Sequence, residues 1–404
     1  MQSFLSFLKE EEEAQQLKHI HHAEDRPLLH GHEGFEHAHA ALMQAHEHMK
    51  AGAHNSNLTM KYDGAPSIVF GRHPKTNKFF VATKSAFNKN PKINYSDADI
   101  EKNHGHAPGL VSKLKAALKH LPKVTPKSGV YQGDVMHTKE DHVLHEEVLT
   151  EESKVSFTPN TITYTAHGDE AKKVQRSNIG VVVHQKYQEN PNKPGLEHMS
   201  ASSNVDHHNF KDNPAVHLKS ADHDTSKINY AQKDQDTFHK HMNAAKAIHD
   251  THSANMYSAT QRHQGEGGHL ATYINHTVRN DEIPTASGLQ KHITAHYAKA
   301  ASKVKTPASI AKKQAEGADH VEHIEKNKSH YDNLLAMHHH LAQAKNTLVK
   351  NLEQDEGGLE HHISGTKSKP EGFVVNVTRN GKTEPTKLVN RSEFAKANLL
   401  KVRK

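Results

Sequence analysis

The sequence predicts an α+β protein built mostly from antiparallel sheets and interrupted by a large helical block. Three observations predict it. Residues 57–187 run as short β-branched and aromatic segments divided by turns. Residues 188–368 change to long Ala-, His- and Lys-rich stretches with helical spacing. Strand texture then returns at 371–390 and needs partners from the earlier strands, so the helical block reads as an insertion within one domain.

Each region has its own reason. Residues 1–56 read as helical and His-rich: in "EGFEHAHAALMQAHEHMKAG", Phe35, Leu42 and Met49 repeat every seven residues, His39 and Met43 fill the same face, and Gly52 offers a stop. The strands of 57–187 include "LTMKYDGAPSIVFG", "KFFVATKS", "SGVYQGDVM", "NTITYTAH" and "NIGVVVHQKY". One helix interrupts them at 109–121, with Leu110, Leu114, Leu118 and Leu121 on one face. "QENPNKPG" opens the helical block, which is clearest at 319–353, where Leu334, Leu341 and Leu348 repeat and Ile324, Tyr331 and Leu335 join them. "GEGG" at 265–268 and "EGG" at 356–358 punctuate it. In the last region, 369–404, "EGFVVNVTRNGKTEPTKLVN" reads as a hairpin across "RNGK", followed by a short helix.

Composition narrows the class. Lys and Arg number 52 against 46 Asp and Glu, a net charge of only +6 with the 41 histidines neutral. Mild acid would make the chain far more positive, which favours polyanionic partners such as nucleic acid. With no cysteine there is neither a disulfide framework nor a thiolate metal site. The first eighteen residues are too acidic and too short in apolar run for a secretory or transit signal, and no stretch is long enough to span a bilayer. The expectation is a cytoplasmic protein with no membrane partner.

Lys61 is the residue that asks for an explanation. Leu58 and Met60 lead into it and Ile68, Val69 and Phe70 follow, so a cation stands between two stretches that read as buried strand. Such a lysine either snorkels to solvent or is used. A lysine amine becomes a nucleophile when burial or a neighbouring cation frees its lone pair, and attack on a nucleotide phosphate further needs carboxylates for metal and ribose and cations for the phosphates.

The tetrapeptide Lys61-Tyr62-Asp63-Gly64 resembles the first motif, K-x-D-G, of the covalent nucleotidyltransferases, the polynucleotide ligases and capping enzymes. The segments that follow are similar to the later motifs in family order. "FFVATKSAF" places Lys84 near the phosphates, and "VYQGDVM" places Asp134 where Glu is more usual. "NIGVVVHQKY" offers Val181 or Val183 to pack on the purine, "PEGFVV" puts Glu371 at the metal or the lysine, and "TKLV" brings Lys387 to the α-phosphate. Gly64 joins the nucleotide-binding positions. The resemblance covers roughly 57–187 and 369–404. It implies an ATP-grasp-like nucleotidyltransferase fold of two antiparallel sheets, ATP with Mg²⁺ (or Mn²⁺), and metal held by Asp134 and Glu371. The stretch from "HIHHAEDRP" to "FTPNTITYT" is also similar to a group of phage-encoded ligases.

The activity so implied is an ATP-dependent ligase that joins 5′-phosphate and 3′-hydroxyl ends through a lysyl-AMP on Lys61, with Asp63, Glu371 and Lys387 assisting. Pro66 stands where many DNA ligases carry Arg, which leans towards RNA or mixed substrates. Val389 replaces the usual second lysine of the fifth motif, with Lys382 and Arg391 as possible substitutes, and few residues follow for an oligonucleotide-binding barrel. Residues 188–368 are therefore the expected grip on nucleic acid. The alternatives are a ligase of nicked duplex DNA, an enzyme that adenylylates ends without sealing them, and a non-catalytic nucleic-acid-binding protein on a ligase scaffold. A His-rich metal-binding protein is the remaining one. For His37, His46 and His48, for His338, His339 and His340, and for His361 and His362, polar surface positions are expected in preference to metal ligands, and His39 is expected to face the core.

Overall fold

In the computed structural model, residues 20–52, 54–88, 90–144, 154–190, 192–193, 195–202 and 205–391 are described. The expected terminal helix, and the part of the first helical region before residue 20, lie outside them. The chain divides into two compact units. The first takes Ala51–Ile228 and Glu353–Pro385; the second takes His21–Lys50, Asn229–Leu352 and the chain from Thr386.

The fold is mixed α+β with antiparallel sheets. In chain order the strands are β1 (His54–Lys61), β2 (Ser67–Arg72), β3 (Phe79–Ala82), β4 (Ile93–Asn94), β5 (Val130–Thr138), β6 (Val143–Leu144) and β7 (Lys154–Phe157). They continue as β8 (Thr163–His167), β9 (Ile179–Gln188), β10 (Ser200–Ser202), β11 (Val216–Ser220) and β12 (Asp222–Asp224). The last are β13 (Glu360–Ile363), β14 (Thr366–Ser368), β15 (Gly372–Arg379) and β16 (Lys382–Leu388). They form three sheets, in the orders β12-β1-β15-β16, β10-β9-β5-β2-β3-β4 and β14-β13-β8-β7-β6, with β11 added parallel to β9.

The largest sheet buries both faces. On one, Ile68, Phe70, Tyr131, Val135, Val181 and Val183 meet Val111, Leu114 and Ala117 of a helix at Pro108–His120. Proline at its first turn suits a helix start, and full burial of each such aliphatic side chain contributes about 1.5–3 kcal/mol. On the other face Val69, Phe80, Ala82, Val130 and Tyr187 cluster together. The hairpin expected across "RNGK" is present between β15 and β16, and Asn380 and Gly381 both take the positive φ that its tight turn demands.

The second unit is helical. Its helices, with the three of the first unit counted in chain order, are α1 (Arg26–Ala51), α2 (Asp97–His104), α3 (Pro108–His120), α4 (Gly168–Arg176) and α5 (Gln232–Thr260). Then come α6 (His269–Asn280), α7 (Ala286–Ser302), α8 (Pro307–Lys326) and α9 (Lys328–Leu352). The heptad of α1 is buried as read, and the expected helix at 319–353 is two helices broken at Asn327. Thr285 and Thr306 cap α7 and α8 by accepting from Gly288 and Ser309 backbone N–H groups. A charged network lies inside this unit: Lys345 and Glu24, both 2% exposed, pair at 2.6 Å, and Arg391 grips both oxygens of Asp25 at 2.9 and 2.8 Å.

Two expectations change. Residues 188–228 and 353–368 are not part of the helical unit but supply β10–β14 to the sheets. Their apolar residues are too sparse to announce strands, and backbone pairing decides. Nor are the histidines confined to the surface: eleven are buried among the described residues, including His37, His46, His338 and His361.

In the second unit burial holds His22 down at about 4, while His263 falls to about 3 and His269 to about 4 through burial and then the neighbouring His320. Each is neutral when folded, whereas the unfolded chain protonates near 6.5, so their stabilisation is full above about pH 6.5 and declines as pH falls towards 4. Thermal unfolding should therefore show a midpoint several degrees lower at pH 5 than at pH 7; an unchanged or higher midpoint at pH 5 contradicts this.

Candidate active site

Lys61 is the last residue of β1, and its register partner across the ladder is Gly372, the first of β15. That pairing sets Glu371 beside it, and the Lys61 Nζ forms an ion pair with Glu371 Oε2. Leu58 and Met60 on β1 are buried, but Lys61 keeps 27% of its side chain exposed and Glu371 16%. The amine is thus held by a carboxylate at the end of an apolar strand, with part of each side chain still exposed.

The second carboxylate comes from the largest sheet. Asp134 on β5 lies opposite Ser67 of β2 and Val182 of β9. One extra residue on β9, His184, bulges between the partners of Gln132 and Gly133, and its Nε2 lies 3.3 Å from Asp134 Oδ2. Burial alone would raise the Asp134 carboxyl, but His184, the Ser67 hydroxyl and the charge of Lys61 together hold it below the usual carboxylate range. Lys61 therefore feels carboxylates from two different sheets.

Between them runs the loop from Tyr62 to Pro66. Gly64 packs so close to β5 that a Cβ there would lie 2.5 Å from Asp134 Cβ and 3.0 Å from Met136 Sδ, so no larger residue fits. Ala65 N–H donates to Val135 O at 2.9 Å, and the Lys113 amine of α3 donates to Ala65 O at 3.1 Å. Asp63 is taken up by the turn before β8: its Oδ2 accepts from Thr161 N–H at 2.6 Å and Ile162 N–H at 3.0 Å, and its Oδ1 from Asn160 at 2.8 Å. The Asp63 N–H in turn donates to the Tyr164 hydroxyl at 2.7 Å. Asp63 thus fixes the loop after the lysine, and its carboxylate is taken up by two backbone N–H groups and the Asn160 side-chain amide.

The structure brings Lys61, Gly64, Asp134 and Glu371 together, with Asp63 locking their loop. Val181 and Val183 are a correction. Offered as the side chains under a purine, they point to the opposite face of the sheet, into the core against α3, while Val182 and His184 share the side of Asp134. Strand side chains alternate, so the odd and even members of one valine run serve different faces. Lys84 is exposed in a short 3₁₀ turn capped by Thr83 and has no ion pair among the described residues. Lys387 is counted with the second unit, where its N–H donates to His21 O at 2.9 Å and its carbonyl accepts from Ala23. Arg391 belongs there too, committed to Asp25, and so does not stand in for a missing lysine; of Lys382 only the backbone is described. Sequence reasoning missed Ser67, Lys113, Asn160, Tyr164 and His184. Only Asn160 carried a signal, the "PNT" turn before a strand.

Replacing Asp63 by Ala removes the acceptor of three N–H groups at once and should cost about 1–3 kcal/mol in urea unfolding, with Asp63→Asn between it and the parent. Equal stability of all three proteins would mean the turn holds without the carboxylate.

No curated protein and no solved structure matches the chain. A family does: the match runs over residues 17–403, nearly the whole sequence, and the chain belongs to the family of unknown function DUF6267.

Proposed function

We propose that this protein is an ATP-dependent polynucleotide ligase with an ATP-grasp-like nucleotidyltransferase core, acting on RNA or mixed ends through a lysyl-AMP on Lys61. The observation that carries the reading is the ion pair of Lys61 with Glu371, joined by the Asp134 carboxylate from a second sheet. A nucleophilic amine and metal-competent carboxylates are what adenylyl transfer requires. The family-order motifs around the same residues support it.

In the first step the Lys61 amine, its proton given up towards Glu371, attacks the α-phosphorus of ATP. The N–P bond forms, the P–O bond to the β-phosphate breaks, and pyrophosphate leaves. In the second, a 5′-phosphate oxygen attacks the same phosphorus, and the lysine nitrogen leaves and regains a proton. In the third, a 3′-hydroxyl attacks the 5′-phosphorus, loses its proton to solvent and expels AMP. Asp134 and Glu371 offer hard oxygen donors of the kind Mg²⁺ takes, and the ion bound there would neutralise triphosphate charge. His184 and Ser67 hold Asp134 ionised for that role.

Incubation with α-³²P-ATP and Mg²⁺ should leave an acid-labile label on the denatured chain. Lys61→Ala should carry none, and Glu371→Gln should label about 10²-fold more slowly or worse. Chasing the labelled protein with 5′-phosphorylated RNA, or with nicked DNA, should move the label to the accepted end. A parent that stays unlabelled even with pyrophosphatase present overturns the reading.

A further inference from the structure

The geometry points to a transition-metal site in the helical unit, formed by His32, Glu36 and His249 and suited to Zn²⁺. Among the described residues, this is the one trio of His, Asp or Glu whose ligand atoms all lie within 4.8 Å of one another. The site stands apart from the proposed ligase chemistry and does not rest on it.

The sequence builds it in a simple way. Gly31 interrupts α1 with a φ of 58°, and the helix that continues from it sets His32 and Glu36 one turn apart on one face. His249 comes from α5, where its ring stacks on Phe35 at 3.9 Å between centroids, 10° from parallel. His249 is buried and cannot swing away. Its Nε2 lies 2.9 Å from His32 Nδ1, and its Nδ1 lies 3.3 Å from Asp250 Oδ1.

That last contact decides the chemistry. A carboxylate only accepts, so Nδ1 of His249 carries the proton and Nε2 keeps its lone pair towards the trio. Imidazole metal ligands characteristically have such a carboxylate on the far nitrogen. His32 then bridges with its own Nδ1–H. Because His32 is exposed, its proton can move to the solvent-facing Nε2 and free Nδ1 as a second ligand atom. Two nitrogens on a tetrahedral zinc at about 2.0–2.1 Å stand about 3.3 Å apart, only a few tenths beyond the present contact. Glu36 supplies the third donor, and water would complete the set. Two imidazoles and one carboxylate favour Zn²⁺ or a neighbouring divalent transition metal over Mg²⁺ or Ca²⁺. The nearby cation Lys246 is already paired with Asp250 at 2.6 Å.

With so many histidines on the chain, the test must separate one built site from many casual ones. The full-length, chelator-stripped protein is titrated with Zn²⁺ against a chromophoric chelator, beside His32→Ala, Glu36→Gln and the control His106→Ala, whose side chain is exposed and lies outside the trio. His32 and Glu36 are not core residues, so these variants keep the fold, which circular dichroism checks. The expected result is one tight equivalent in the parent and the control, weakened at least about tenfold in the two site variants. Co²⁺ in place of zinc should give the intense visible bands of a tetrahedral site in the parent and lose them in His32→Ala. Identical isotherms for all four proteins, or no stoichiometric binding by the parent, overturn the proposal and assign any bound metal to scattered surface imidazoles.

Discussion

The candidate site depends on one contact, the ion pair between Lys61 and Glu371. Its two residues come from opposite ends of the chain and meet because β1 and β15 pair antiparallel with Lys61 opposite Gly372. Shifting that register by one residue would turn Lys61 to the other face of the strand and separate the charges. Everything else in the site is arranged around this end of the ladder. Asp63 pins the loop that leaves β1, Gly64 lets that loop lie against β5, and Asp134 arrives on the neighbouring sheet. The long helical segment between β12 and β13 is looped out without breaking the β1–β15 pairing.

Much of this was legible in the residues. A lysine inside a strand-like stretch, with Asp-Gly after it, marked the loop; the strand texture at 371–390 placed Glu371 next to a partner strand, which begins one residue later; and the "RNGK" turn foretold the last hairpin. What was not legible depends on which face a strand presents. "GVVV" gives three buried valines, and nothing local says that Val181 and Val183 enter the core while Val182 faces Asp134. The bulge that aims His184 adds one residue to one strand only, and a single strand read alone cannot reveal it. Lys387 and Arg391 read as phosphate cations because their charge was visible, whereas the carboxylate that claims Arg391, Asp25, lies near the start of the chain.

The histidines explain how a chain with 5% aromatic residues and no tryptophan packs its interior. Buried and neutral, an imidazole serves as a small flat ring: His249 lies on Phe35, and His46 stacks on Phe238 at 4.6 Å. Some of their ring nitrogens find partners at a distance in sequence, as one of His37 does with Thr386 and one of His46 with Tyr230. The burial of these eleven histidines has a physical reason. The same ring that titrates near neutrality in water behaves as an apolar aromatic once desolvated, and it carries a hydrogen bond besides. The cost is sensitivity to acid, concentrated where these rings crowd.

The proposed role of Lys61 as the nucleophile towards ATP is tested by intact-mass spectrometry of the full chain after ATP, Mg²⁺ and pyrophosphatase, followed by peptide mapping. A nucleophilic Lys61 gives a single added AMP, found on the peptide that carries Lys61. An unchanged mass, or AMP on any other residue, would contradict it.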